Sequence, residues 1–188
     1  MKKILSFITV LVLVGLLSAC GGGSNAPVQT AVEEPPPPAT LLQASALLAP
    51  TQGNTVQGNV IFRQEAAGGI RFIADISGLT PGSHGFHIHE TGDCSAPDAS
   101  SAGGHFNPNQ TAHGKVGEGE YHSGDLPSLE ADADGNARVD VVLESVALDG
   151  DHSIIGRGLI VHADPDDYTT QPTGNSGARV ACAVIQQD

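Results

Sequence analysis

In the stretch GFHIHETGDC, residues 85 to 94, two histidines stand one residue apart, and their type and spacing could do chemistry. The stretch reads as a strand running into a turn. Side chains at i and i+2 of a strand share one face, roughly 6.5 to 7 Å apart along the chain, so His87 and His89 could reach one ion together. The chain has eight histidines, at 84, 87, 89, 105, 113, 122, 152 and 162, and five of them fall between 87 and 122. Within that group His105, His113 and His122, with Asp125, offer three imidazoles and a carboxylate, a donor set suited to tetrahedral zinc. The run HSGD from His122 to Asp125 lets two ligands of one ion come from a single tight turn. A rival metal reading fails. EADADGN from Glu130 carries acidic residues at alternate positions before a glycine, as a calcium loop does, but its twelfth position is Val141. A closing carboxylate is required there, so the run is read as a hairpin turn.

Short alternating segments must position these side chains. Ile70, Phe72, Ala74 and Ile76 share one face of a strand, and Ala137, Val139, Val141 and Leu143 share one face of another. Further strands are expected around Val56 to Phe62, Ile154 to His162 and Val180 to Ile185, punctuated by turn signals at 80–82, 132–136 and 148–151. This spacing argues an all-β fold, a closed or sandwiched antiparallel barrel. Residues 90–129 and 163–178 break the pattern, being long and rich in Gly, Pro, Asp, Ser and His. Loops of that length in a compact domain are usually functional or disordered, and these hold most of the polar residues able to carry chemistry.

The ends of the chain bear on compartment. Lys2 and Lys3 precede an apolar run from Ile4 to Leu17, too short for a spanning helix and followed by LLSAC. Residues 1–19 read as a lipoprotein signal peptide and Cys20 as the lipidated mature N-terminus. Residues 20–40 read as a Gly- and Pro-rich tether and 41–188 as one domain. The expected location is extracytoplasmic, on the periplasmic or outer-membrane side of an envelope, with the membrane as partner through the anchor at Cys20. Of three cysteines, assigning Cys20 to lipid leaves Cys94 and Cys182, a pair expected to form a disulfide in an oxidising compartment. The formal net charge of -13 argues against nucleic acid as a partner.

HGFHIHETGDC, GGHFNP, YHSGDL, GDHSIIGRGLIVH and GNSGARVAC stand in the order and approximate spacing of the copper/zinc superoxide dismutases. From about Val56 to Ile185 the chain resembles that family, and it looks like a bacterial, lipid-anchored member. The resemblance implies a Greek-key antiparallel β-barrel of immunoglobulin-like architecture with two long functional loops. It implies His87, His89, His105 and His162 as copper ligands and His105, His113, His122 and Asp125 as zinc ligands, with His105 shared between the ions. Asp166 matches the carboxylate that ties His87 to His113. Arg179 matches the arginine that receives the anion beside copper, and Cys94 with Cys182 matches the intrasubunit disulfide. His84 and His152 fit structural hydrogen-bonding positions.

The implied activity is superoxide dismutation. In the mechanism the resemblance implies, one superoxide would give an electron to Cu(II) and leave as dioxygen while the His105 bridge takes a proton, and a second superoxide would take that electron back together with protons and leave as hydrogen peroxide. Zinc has no redox chemistry and holds geometry and charge. Many family members carry lysines in the loop before the arginine, but residues 163–178 have none, so electrostatic steering is expected to be weaker. Lys115, the one lysine left after the expected signal peptide, is the candidate partial substitute. The alternative function is a non-catalytic copper- and zinc-buffering lipoprotein, and a third reading is a structural or adhesive one. The first would predict loss of a copper ligand or of Arg179 and the second a degraded constellation, whereas Arg179 is present and all seven ligand positions are filled. The metal motifs leave a homodimer open.

Overall fold

Along the longest strands, residues alternate between core and solvent. In β3 (Ile70–Ser77), Ile70, Phe72, Ala74 and Ile76 are buried while Arg71 and Asp75 are exposed. Val60 and Phe62 do the same in β2 (Gln57–Gln64), as do Ala44, Ala46 and Leu48 in β1 (Gln43–Pro50). The computed structural model describes residues 40–188. The expected signal peptide, Cys20 and all of the tether except Thr40 lie outside the described residues. The remaining strands are β4 (Gly82–His84), β5 (Phe86–His89), β6 (Leu129–Ala131), β7 (Ala137–Leu143), β8 (Gly158–His162), β9 (Arg179–Val184) and β10 (Gln186–Gln187). The described helical structure is one short 3-10 turn, Ser100–Ala102.

The main sheet runs β5-β8-β9-β1-β2-β3-β7, with β10 beside β1, and every pair is antiparallel. β4 and β6 form a separate antiparallel pair. β1 changes partner along its length: Gln43–Leu48 pair with β2, and Ala49–Pro50 pair with β9. The sheet curls enough for Phe86 of β5 to meet Phe72 of β3, with ring centroids 5.7 Å apart, and Phe72 meets Phe62 at 5.3 Å. This all-β, curled antiparallel architecture is the one expected.

Three details differ from expectation. The strand expected from Ile154 begins only at Gly158, because the Arg157 N–H bonds back to Ile154 O at 3.2 Å and closes a turn. β1 forms from QASALLAP, a run rich in alanine, a weak strand former, that carries no strand signal of its own. β4 and β6 are three residues each, too short to show a period. The EADADGN run does turn the chain between β6 and β7: Asp132 Oδ1 accepts the N–H groups of Asp134 and Asn136, which commits that carboxylate to the backbone.

β5 is buried on both faces. Phe86 and Ile88 belong to the core, whereas His87 and His89 face away from it, under the loop that follows. That loop returns along the free edge of β5. Phe106 N–H donates to Ile88 O at 2.8 Å, Ile88 N–H donates to Gly124 O at 2.8 Å, and Gly124 N–H donates to Phe106 O at 2.8 Å. These three bonds bring His105 and the HSGD turn alongside the two strand histidines.

Candidate metal centre

Two clusters of donor atoms result, each with its atoms within 4.8 Å of one another and all its residues buried. The first contains His87, His89, His105 and His162. The second contains His105, His113, His122 and Asp125, so His105 belongs to both. His87 and His89 come from β5, and His162 ends β8, where a register shift after Val161 pairs it with Arg179 of β9. That irregularity sets the arginine beside the first cluster.

The hydrogen bonds of each ring decide which nitrogen is left over. His87 Nε2 donates to Asp166 Oδ2 at 2.7 Å, His89 Nδ1 to Gly103 O at 2.9 Å, and His162 Nδ1 to Gly177 O at 3.3 Å. Carbonyl and carboxylate oxygens only accept, so the proton sits on those nitrogens and the opposite one keeps its lone pair. The opposite nitrogens, His87 Nδ1, His89 Nε2 and His162 Nε2, are buried without a hydrogen-bond partner, as is His105 Nε2. Unpaired buried polar atoms are costly, and four converging from three separate segments fit an imidazole-binding metal.

In the second cluster Asp125 Oδ1 lies 2.8 Å from His105 Nδ1, 3.0 Å from His113 Nδ1 and 3.5 Å from His122 Nδ1. Ligand atoms about 2.0–2.1 Å from a tetrahedral zinc are about 3.3 Å apart, so this spread fits that ion. The other carboxylate oxygen, Oδ2, accepts from His122 N–H at 2.8 Å and Gly114 N–H at 3.2 Å, which aims Oδ1 at the imidazoles. Asp166 links the clusters, its Oδ1 accepting from His113 Nε2 at 2.9 Å and its Oδ2 from His87.

Burial and neighbouring charge act in opposite directions here. Burial pushes His87 down to about 4, against the Asp166 hydrogen bond, and pushes His89 to about 2 and His162 to about 3. These imidazoles are therefore neutral at pH 7, the form that binds a metal. His113 is different: burial lowers it, but its hydrogen bonds to Asp125 and Asp166 outweigh burial and raise it to about 9. Burial would raise both carboxylates, but their histidine partners hold them well below the usual range.

Arg179 is fixed by two main-chain acceptors, Nη1 to Ala99 O and Nη2 to Gly103 O, both at 2.6 Å. Gly103 O thus receives both Arg179 and His89. The disulfide Cys94–Cys182, with Cα atoms 5.9 Å apart, ties the segment bearing these carbonyls to β9. Arg179 also lines a groove of about 390 Å³ with Thr51, Asn54, Pro97 and Asp98. Lys115 pairs with Glu118 at 2.6 Å on the exposed surface, which offsets the charge that would make it a steering residue. His84 bonds the carbonyls of His162 and Thr80, and His152 Nδ1 lies 3.3 Å from Ser123 Oγ and Ser145 O. The structure adds Gln171, Glu90 and Arg157 to the residues that the motifs single out. Glu90 Oε1 accepts Gly104 N–H at 3.2 Å, and Arg157 lies 3.6 Å over the Phe106 ring while donating to Glu90 O. Nothing in the spacing of these three residues marks them.

Two buried clusters of side chains able to hold a metal ion, sharing one imidazole on a curled antiparallel β-sheet, are the arrangement a binuclear metalloprotein needs. Residues 56–185 match the family model of copper/zinc superoxide dismutase. A superoxide dismutase [Cu-Zn] 2 of Mesembryanthemum crystallinum is 45% identical over 138 residues, covering 70% of this chain and 88% of the relative. A crystal structure of the clock protein EA4 superposes with a TM-score of 0.71 at 41% identity, covering 77% of this chain and 93% of that one. The chain belongs to the copper/zinc superoxide dismutase family, oxidoreductases whose cofactors are copper and zinc.

Proposed function

We propose that His87, His89, His105 and His162 hold copper, that His105, His113, His122 and Asp125 hold zinc, and that Arg179 receives superoxide. The observation that carries this reading is the convergence of four buried imidazole nitrogens, each without a hydrogen-bond partner. When bound, copper supplies the one-electron couple on which superoxide is alternately oxidised and reduced, while zinc holds geometry and charge.

The chain does the rest. Asp166 and the carbonyls of Gly103 and Gly177 hold three imidazoles in the tautomers that leave Nδ1 of His87 and Nε2 of His89 and His162 free. Arg179, its fork anchored on Ala99 O and Gly103 O, has three further N–H donors and a fixed charge with which to orient a diatomic anion. His105 can hold a proton at Nε2 and pass it to the product. The net reaction turns two superoxide anions and two protons into dioxygen and hydrogen peroxide.

The same reading places the protein outside the cytoplasm, anchored by lipid at Cys20 and protecting the cell envelope. Its support is the Lys2–Lys3 start, the apolar run, the LLSAC run and a disulfide suited to an oxidising compartment. The test is direct superoxide decay with the full chain loaded with copper and zinc, beside His87→Ala. Wild type is expected near the diffusional ceiling of about 10⁸ to 10⁹ M⁻¹s⁻¹, and His87→Ala far below it. Metal uptake without superoxide removal in the wild type would overturn the catalytic assignment. Recovery of Cys20→Ser with the membranes, as for wild type, would overturn the anchor.

A further inference from the structure

The lysine-free loop between β8 and β9 is braced on itself. Asp167 N–H donates to Gly174 O at 3.0 Å, and Gly174 N–H donates to Thr170 O at 2.7 Å. The Asp167 carboxylate accepts the N–H groups of Thr169 at 2.9 Å and Thr170 at 2.7 Å, and the Thr170 hydroxyl at 2.6 Å. Gln171 follows these capped residues and reaches across to the other long loop. Its Oε1 accepts His113 N–H at 2.8 Å and its Nε2 donates to His113 O at 2.9 Å. Only this amide orientation satisfies both partners, and among the described residues His113 makes no backbone–backbone hydrogen bond.

We infer that Gln171 is a positioning residue for the zinc-side cluster, gripping the His113 main chain so that the imidazole stands where a zinc ion needs it. One hydrogen bond would set a distance and leave the residue free to swing, whereas two antiparallel bonds from one planar amide also set its rotation. The same loop holds the far end of the His113 ring through Asp166, so His113 is fixed at main chain and ring by residues five positions apart. Tyr168, between them, adds a third tie, its hydroxyl 2.6 Å from Oγ of Ser128, three residues past Asp125. In this chain the loop acts as a clamp. Contacts of this kind behind a metal ligand are worth about 10- to 100-fold in metal affinity.

The inference rests on His113 being a zinc ligand, and the experiment separates the two claims. The full chain, loaded with copper and zinc, is mixed with a chromogenic zinc chelator, and zinc release is timed for wild type, Gln171→Met, Gln171→Glu and His113→Ala. Methionine keeps the length and packing of glutamine and loses both bonds, so release is expected to be about tenfold or more faster. Glutamate keeps an oxygen for the His113 N–H and is expected to fall between wild type and Gln171→Met. Cobalt(II) placed in the zinc site is expected to show shifted visible absorption in Gln171→Met, a signature that a general loss of stability would not produce. Wild-type release and an unchanged cobalt spectrum in Gln171→Met, with rapid loss in His113→Ala, overturn the clamp alone. Wild-type release in His113→Ala overturns the ligand assignment, and the clamp with it.

Discussion

Each imidazole of the first cluster has one nitrogen committed to an oxygen acceptor or left as the shared donor, and that commitment decides what the other nitrogen can bind. His89 and Arg179 share one acceptor, Gly103 O, so the proposed copper ligand and the proposed anion-receiving group are held by the same atom. Removing the guanidinium should therefore leave the metals in place and slow capture of the anion. Hydrogen bonds to charged groups contribute about 1.5–3 kcal/mol, so Arg179→Ala is expected to lower the superoxide rate constant about 10- to 100-fold. Arg179→Lys restores charge without the fork and should recover only part of the loss. Pulse-radiolysis decay with parallel metal analysis checks this, and an unchanged rate in Arg179→Ala would remove the arginine from the mechanism.

At the scale of elements, β5 is the platform and the HSGD turn is laid flat against it. Gly124 makes that approach possible, because a Cβ there would run into Ile88 O and Phe106 N. Both are main-chain atoms that carry the bonds along the β5 edge, so neither can yield without moving His105 or Asp125. Gly124→Ala is expected to cost about 1–3 kcal/mol, as overpacking does, and to lower the zinc content of the purified protein. Thermal unfolding with metal analysis reads both effects. An alanine variant with wild-type melting and zinc content would show that the turn has room the structure denies it.

For the molecule as a whole, the buried histidines make stability before metal loading depend on pH in both directions. His87 and His162, lowered to about 4 and 3, contribute fully above the unfolded value near 6.5 and lose that contribution as pH falls toward those values. His113, raised to about 9, contributes fully below 6.5 and loses its contribution as pH rises toward 9. The metal-free protein is therefore expected to be most stable near pH 6.5 and to weaken on either side, more steeply in acid. Denaturant midpoints at about pH 4, 6.5 and 9 test this. A midpoint that climbs steadily to pH 9 would contradict the role given to His113. Metal binding should flatten the profile, since ligands in use no longer take up protons.

Donor chemistry and strand alternation were legible in the sequence because both are local. Ile70, Phe72, Ala74 and Ile76 had to share a face, and so did His87 and His89, whatever the rest of the chain did. Three imidazoles with Asp125 marked a zinc-type donor set for the same reason, and the order of the motifs carried the family resemblance. β1, the register shift that pairs His162 with Arg179, and the grip of Gln171 on His113 were not legible. Each depends on which segments meet across the fold, and the grip of Gln171 is a side chain bonding to a distant main chain, which leaves no period to read. The residue types determined what chemistry the chain could do, and the curled sheet with its two crossing loops decided which nitrogen of each ring was free to do it.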